Sequence, residues 1–428
     1  MAGLMNNYFY GKAGKGDYTV EQMPSTRKQL FFTTLRVRLS PMMGLNFLHL
    51  LFCVPLLIWV YVGFQTMMYY AGDTAYELGS PQMKEAYTVY AAALEAYEDY
   101  KDPEGYLQEL ESEQKKVESQ LQKHAEGVVD ENLPSYDECK TNKVAIDAKI
   151  VTIKEIIGEK SADEAKFILK QEETAQAYVE AYRNYELYRS SEMKSNVAST
   201  LLIMIPLIGI AGIGSTGQMY VLRNWARDEH SFMWQDYKAA IKNNWKQGLV
   251  IGLLNGLSIY LCFIGFVTYG QMSETSGLFF EIPKWLMVML LIIWWMMNEI
   301  VFPMMVTYDM KVTHLIRNSF IMVLARLPIS FLILLGTVAL PLLISLLLPP
   351  QFSMLILILF YGLIGFSLTG FIYASYANSL FDKFLNPRIE GAEVNKGLRI
   401  EEDDDDDDDE NSLSDGEVKP DRFWERKS

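Results

Sequence analysis

Apolar residues fall along this chain in six long runs with polar intervals between them. The first occupies residues 44–72, with LNFLHLLFCVPLLIWVYVGFQTMMYY at its heart. The others follow at Val197 to Leu222, Gly248 to Tyr269, Trp285 to Tyr308, Pro328 to Leu348 and Phe352 to Tyr376. About 20 apolar residues carry a helix across the hydrocarbon core of a bilayer, so each run predicts a membrane-spanning helix. Pro55 predicts a kink in the first. The second ends in Gly209-Ile210-Ala211-Gly212-Ile213-Gly214-Ser215, small residues that let helices approach closely in lipid.

The largest polar interval covers residues 73–195 and has few strand signals. Leu107, Leu110, Val117 and Leu121 recur at a spacing of three to seven, and so do Ile146, Ile150, Ile153 and Ile157. Such series are the seams of packed helices. Pro103 with Gly105 should break the first arm, and Gly127 to Ser135 reads as the turn. Folding back there pairs Tyr87 with Tyr185, Tyr90 with Tyr182 and Tyr97 with Tyr178. The expectation is an antiparallel helical hairpin, coiled-coil-like, with tyrosines packing its base. These rings serve either helix packing with wet hydroxyls or a ligand or glycan surface.

Between the second and third runs lies Val221 to Gln247, VLRNWARDEHSFMWQDYKAAIKNNWKQ, too polar to cross a bilayer. Residues 223–246 read as one amphipathic connector helix lying on the membrane surface. Phe232, Tyr237, Ile241 and Trp245 would form its apolar stripe. Arg223, Trp225, Phe232, Trp234, Tyr237 and Trp245 are its candidate interaction residues. A second connector, 309–326, echoes it: Ile316-Arg317-Asn318-Ser319-Phe320 lines up with Ile241-Lys242-Asn243-Asn244-Trp245. Residues 1–43 read as a tail followed by a short basic interfacial helix, 196–376 as spans two to six, and 377–428 as an acidic tail.

Charge then orients the chain. The net charge is −15. Residues 73–195 hold 27 acidic and 15 basic side chains, and residues 377–428 hold 17 and 8. The remaining body is mildly basic, with 15 Lys and Arg. Cytoplasmic loops of membrane proteins are enriched in Lys and Arg. Placing both termini in the cytoplasm puts 14 of those 15 on the cytoplasmic side, leaving only Lys284 outside. The expected class is therefore all-α, with six spans, cytoplasmic termini and an extracytoplasmic hairpin at 73–195. No cleavable signal peptide is visible ahead of the first run. The run Asp403 to Asp409 reads as a solvated segment.

Candidate chemistry is sparse. Cys53, Cys139 and Cys262 form no framework, and no metal-type Cys/His spacing occurs. Gly11 to Gly16 lacks the spacing of a phosphate loop. No basic footprint for nucleic acid exists. No nucleophile–base set is readable, so no catalytic residue, metal or cofactor is expected. Glu299 is the one carboxylate well inside an apolar run, and an ionisable residue there is a functional candidate. Asn298 stands beside it, and Asn255 could extend a polar path. The other reading of Glu299 is a neutral or internally satisfied acid.

The LNFLHLLFCVPLL of the first run, the YVLRNWARDEHSFMWQDYKAAIKNNWKQ after the second and the FPMMVTYDMKVTHLIRNSFIMVL after the fourth resemble the YesL family. These are multipass membrane proteins of Gram-positive bacteria. The resemblance covers residues 30–72 and 197–375, not the insert or the acidic tail. It implies a bacterial plasma membrane and an association with sugar ABC transporters, without a catalytic residue. The resulting expectation is a non-enzymatic scaffold or accessory protein, with lipid around it and an ABC permease or envelope protein as partner. The alternative is a transporter or channel with Glu299 in the path.

Overall fold

Residues 24–72, 74–126 and 133–399 are described in the computed structural model. The Gly11 to Gly16 stretch, the middle of the hairpin turn and the Asp403 to Asp409 run lie outside them. Among the described residues every regular element is helical. Six helices are long and apolar enough to cross a membrane.

Helix α1, Arg27–Ala71, is continuous. The basic stretch around Arg36 and Arg38, expected as a separate interfacial helix, is its first part, and Pro55 does not end it. Proline removes one backbone donor, and membrane helices tolerate that loss where neighbouring groups compensate. After a one-turn helix, Ala75–Leu78, come α2, Pro81–Lys101; α3, Pro103–Ala125; α4, Tyr136–Ala162; and α5, Glu164–Ala226. Then come α6, Met233–Ser276, and α7, Glu281–Thr307. The last four are α8, Val312–Ala325; α9, Leu327–Leu347; α10, Pro350–Phe360; and α11, Phe366–Phe384. A π turn, Tyr361–Gly365, joins α10 to α11. The chain divides into two units. The first is Met1–Phe47, Gly217–Lys242 and Met297–Ser428, and the second is Leu48–Thr216 and Asn243–Met296.

In the second unit, side-chain caps start the helices of the polar interval. Ser80 accepts from the amide of Met83, Asp102 from that of Gly105 and Ser135 from that of Glu138. Each satisfies one of the orphan donors of a first turn. Pro81 and Pro103 sit at first positions, where no amide hydrogen is needed. Part of the two apolar series meets: Leu110, Ile150 and Ile153 form one core with Tyr100, Ile156 and Phe167, and Leu107, Ile146 and Ile157 pack against it, while Val117 and Leu121 are not in this cluster. The rings of Tyr87 and Tyr185 stand 5.4 Å apart, Tyr90 and Tyr182 5.6 Å, and Tyr97 and Tyr178 5.0 Å. Further contacts extend the expected ladder: Tyr76 stacks on Tyr87, Tyr90 on Tyr185, and Tyr90 also lies 6.0 Å from Tyr178. Lys149 bridges Glu95 at 2.5 Å and Asp99 at 2.9 Å. Burial pulls the Lys149 ammonium down, but the two carboxylates outweigh it and hold its pKa above the ordinary lysine value.

The same unit contains a close helix contact. Gly248, Gly252 and Gly256 recur every fourth residue on α6 and face α5. A Cβ on Gly252 would stand 2.6 Å from the carbonyl oxygen of Ile208, and one on Gly256 2.7 Å from Cα of Ile205. A Cβ on Gly212 would strike the carbonyl of Gly248. Only hydrogen fits at this contact, which is the small-residue packing that association in lipid favours.

Candidate functional site

The amphipathic segment expected over 223–246 is not one helix. Helix α5 ends at Ala226 and α6 begins at Met233, and α6 then runs without a break through the third apolar run. Asp228 sits between them at φ 56°, a left-handed conformation that ends a helix. The carboxylate of Asp236 accepts from the Ser231 hydroxyl at 2.6 Å and the Phe232 amide at 2.8 Å. These bonds hold the entry to α6. The expected interaction residues therefore separate. Trp225 and Tyr237 are buried, whereas Phe232, Trp234 and Trp245 are exposed. Arg38 covers the Trp225 ring at 5.7 Å.

Arg223 belongs to a charged cluster of the first unit. Glu229 accepts Arg223 at 3.3 Å, Arg227 at 3.2 Å and Lys396 at 3.4 Å. Lys396 also pairs with Glu393, whose carboxylate raises the lysine pKa and is itself lowered by it. Arg227 donates to the carbonyl of Glu393, and Arg27 pairs with Asp382 and donates to the carbonyl of Lys396 at 3.3 Å. Gly397, at φ 82°, lies so close to the carbonyl of Arg227 that a Cβ there would stand 2.7 Å from it. Residues 386–399 are thus laced to the start of α1 and to the end of α5. Glu229 is the anion that gathers three cations.

Glu299 is the other focus. It lies on α7 within a buried stretch that includes Met296, Met297, Ile300, Val301, Met304 and Met305. Its own exposure is 0%, and neither carboxyl oxygen has a hydrogen-bond partner. Asn298 beside it is also buried. Tyr373 and Tyr376 lie on α11. Their hydroxyls are bonded to α9, Tyr373 to Thr337 at 3.1 Å and Tyr376 to Ser330 at 2.7 Å. Asn255 lies in the second unit, where its side-chain oxygen accepts from Trp294 at 2.8 Å.

Sequence reasoning missed a third polar set in the first unit. A π turn strands carbonyls that an α-helix would pair, and such turns recur at functional sites. Here Asn46 of α1 supplies the missing donor. Its amide nitrogen donates to the carbonyls of Tyr361 and Gly362, each at 2.8 Å, and its oxygen accepts from the amide of Ser367 at 3.0 Å. Gln218 then donates to the Ser367 hydroxyl at 3.0 Å. Asn46 and Gln218 were readable as amides within apolar runs, but nothing local to them signals the π turn.

Among the described residues no group of three or more His, Cys, Asp or Glu is placed to hold a metal ion. His49 and Cys53 pair at 3.2 Å inside α1. Cys139, expected in a polar setting, is buried.

Residues 195–266 match the model of a family described as a protein of unknown function, DUF624. That family includes YesL-like membrane proteins. The matched stretch runs from within α5 to within α6 and contains the Arg223–Glu229 pair, the exposed Phe232 and Trp234, and the glycine row. No curated protein and no solved structure matches the chain. By its six apolar helices and this match, the chain is similar to multipass membrane proteins of that family.

Proposed function

We propose that the protein is a non-enzymatic scaffold of the bacterial plasma membrane, assisting a membrane-protein partner such as a sugar ABC permease or an envelope-assembly protein. In this reading the termini and both connectors are cytoplasmic, and residues 73–195 form an extracytoplasmic antiparallel hairpin. The observation that carries it is α5. This single helix runs without a break for 63 residues, Glu164–Ala226. Such an element suits a rigid support better than a loop-gated catalyst. Exposed Phe232 and Trp234 supply an aromatic surface for a partner or for the lipid interface.

The test is crosslinking in intact cells followed by purification and mass spectrometry of the full chain. The reading expects one permease or envelope protein crosslinked through residues 73–195 or through Phe232 and Trp234, and lost when Trp234 is replaced by Glu. A second reading, a solute path of its own, is favoured by the unpartnered carboxyl of Glu299. Solute movement by the pure protein in liposomes, stopped by Glu299→Gln, would establish that reading and displace the scaffold.

A further inference from the structure

Residues 387–399 are shaped for the place they occupy but held there weakly. Gly391, Asn395 and Gly397 have φ of 79°, 56° and 82°, left-handed conformations that glycine and asparagine tolerate. Gly397 fits against the carbonyl of Arg227 only because it lacks a Cβ. Asn386, buried and bonded by the Tyr308 hydroxyl at 2.6 Å, fixes the near end of the segment. Beyond it most residues are exposed, Ile389 and Val394 among them. The carbonyl of Lys396 accepts from Arg27 at 3.3 Å, that of Glu393 from Arg227 at 3.4 Å, and the Lys396 ammonium meets Glu229 at 3.4 Å. The amide of Arg399 donates to the carbonyl of Pro24 at 2.9 Å. Exposed ion pairs contribute little stability, and a segment with few buried apolar contacts opens at low free energy.

The segment covers two guanidinium groups that it satisfies poorly. Arg27 and Arg227 each have one carboxylate, Asp382 and Glu229, and from the segment each receives only a neutral carbonyl. Glu229 is shared with Arg223 and Lys396. The Nε atoms of Arg27 and Arg223 are buried and have no acceptor among the described residues. A phosphate group offers several anionic oxygens, and the planar fork of a guanidinium matches them in bidentate bonds stronger than those to a carbonyl. The level in the fold is also that of phosphate. Phe31 of α1 stacks on Phe371 of α11 at 5.0 Å, and the last apolar run ends five residues later at Tyr376. Arg27 lies one turn before Phe31, and Arg223 directly follows the second apolar run. The guanidinium groups therefore stand at the edge of the apolar runs, where phospholipid headgroups lie.

We propose that Arg27 and Arg227 form a binding site for a phosphate group, carried by a phospholipid headgroup or free in solution, and that residues 387–399 are a strap that closes it. Strap and phosphate compete for the same N–H groups, so binding frees the strap, and a docked strap weakens binding. The inference rests on neither functional reading, since a scaffold and a solute path could both be held closed in this way.

The test uses the full chain in phosphatidylcholine nanodiscs, with phosphatidic acid in the bilayer or inorganic phosphate in the buffer as probes and sodium chloride of matched ionic strength as control. Hydrogen exchange of residues 387–399 should rise several-fold with a probe and not with chloride. A response to phosphatidic acid alone assigns the site to a headgroup, one to inorganic phosphate alone to a soluble anion, and one to both to the phosphate group itself. Native mass spectrometry then reads binding directly. Gly397→Ala, whose Cβ collides with the Arg227 carbonyl, should exchange fast without a probe and bind the effective probe more tightly than the wild type. Adding Arg27→Gln and Arg227→Gln to that variant should abolish the binding while the strap stays free. Exchange that no probe changes, or that chloride changes as much, overturns the site, as does binding that survives loss of both arginines. Slow exchange in Gly397→Ala, or binding no tighter than in the wild type, overturns the strap.

Discussion

At the scale of single residues, the buried amides and ions carry consequences out of proportion to their number. Replacing Asn46 by Leu keeps the volume but leaves the carbonyls of Tyr361 and Gly362 and the amide of Ser367 without their partner. Interhelical hydrogen bonds in lipid are individually modest, and three are lost here, so a destabilisation of about 2 kcal/mol is expected. A thermal or denaturant unfolding series in detergent, with Asn46→Gln as the polar comparison, measures it. Lys149 gives a second expectation, in the aqueous part of the chain. Removing its ammonium, as in Lys149→Met, leaves buried Asp99 unpaired and should cost about 2 kcal/mol. The pH dependence has a definite sign. Because the folded-state pKa is raised above the ordinary 10.5, the stabilisation is complete below that value and is lost as pH climbs through the raised one. Lys149→Arg keeps its charge throughout. Hydrogen exchange in α2 and α4 should therefore quicken above about pH 10.5 in the wild type and lag in the arginine variant. Equal profiles for the two proteins would show that the pair contributes nothing.

Elements test the packing. Gly252 has backbone of α5 where a side chain would need space, whereas Gly336 on α9 has nothing within 4 Å. Gly252→Leu should force α5 and α6 apart at a cost of about 3 kcal/mol, at the upper end for overpacking a well-fitted core. Gly336→Leu should be neutral or slightly stabilising, since leucine is the better helix former. Comparable losses at both sites would mean that the effect comes from the leucine itself and not from the contact. The six apolar runs and the apolar spacing around Leu110 and Ile153 were legible, because each is a periodic property of one segment, whereas the Gly248, Gly252 and Gly256 row went unread. What was not legible depends on residues far apart. The π turn at Tyr361 needs Asn46, and the break between Ala226 and Met233 is stabilised by Glu229, whose partner Lys396 lies in the C-terminal segment. Neither α1 nor α6 stops at the polar-to-apolar transition, because a change of solvent does not by itself terminate a helix. Hydrophobicity marks where a membrane could lie, while caps and left-handed residues mark where helices end.

For the whole molecule the open quantity is orientation, and the argument for it is electrostatic. Of the 15 Lys and Arg outside residues 73–195 and 377–428, 14 fall on one side of the six spans. Positive charge near membrane-spanning segments is retained in the cytoplasm, while acidic side chains carry little topological weight, so the −15 net charge does not oppose the assignment. Cys139 would be the natural reporter for the polar interval, but it is buried and would resist reagent from either side. An exposed position is needed, and Ser112 on α3 is one. With the three native cysteines changed to Ala, Ser112→Cys should react with a membrane-impermeant maleimide added to wall-stripped intact cells. A second variant, Lys238→Cys, at an exposed position on α6, should react only after lysis. The two reporters are expected to respond oppositely because an odd number of spans, the second alone, separates them. Reaction of Lys238→Cys in intact cells, with Ser112→Cys silent until lysis, would reverse the orientation. It would also move the aromatic surface of Phe232 and Trp234, and with it the side on which a partner is to be sought.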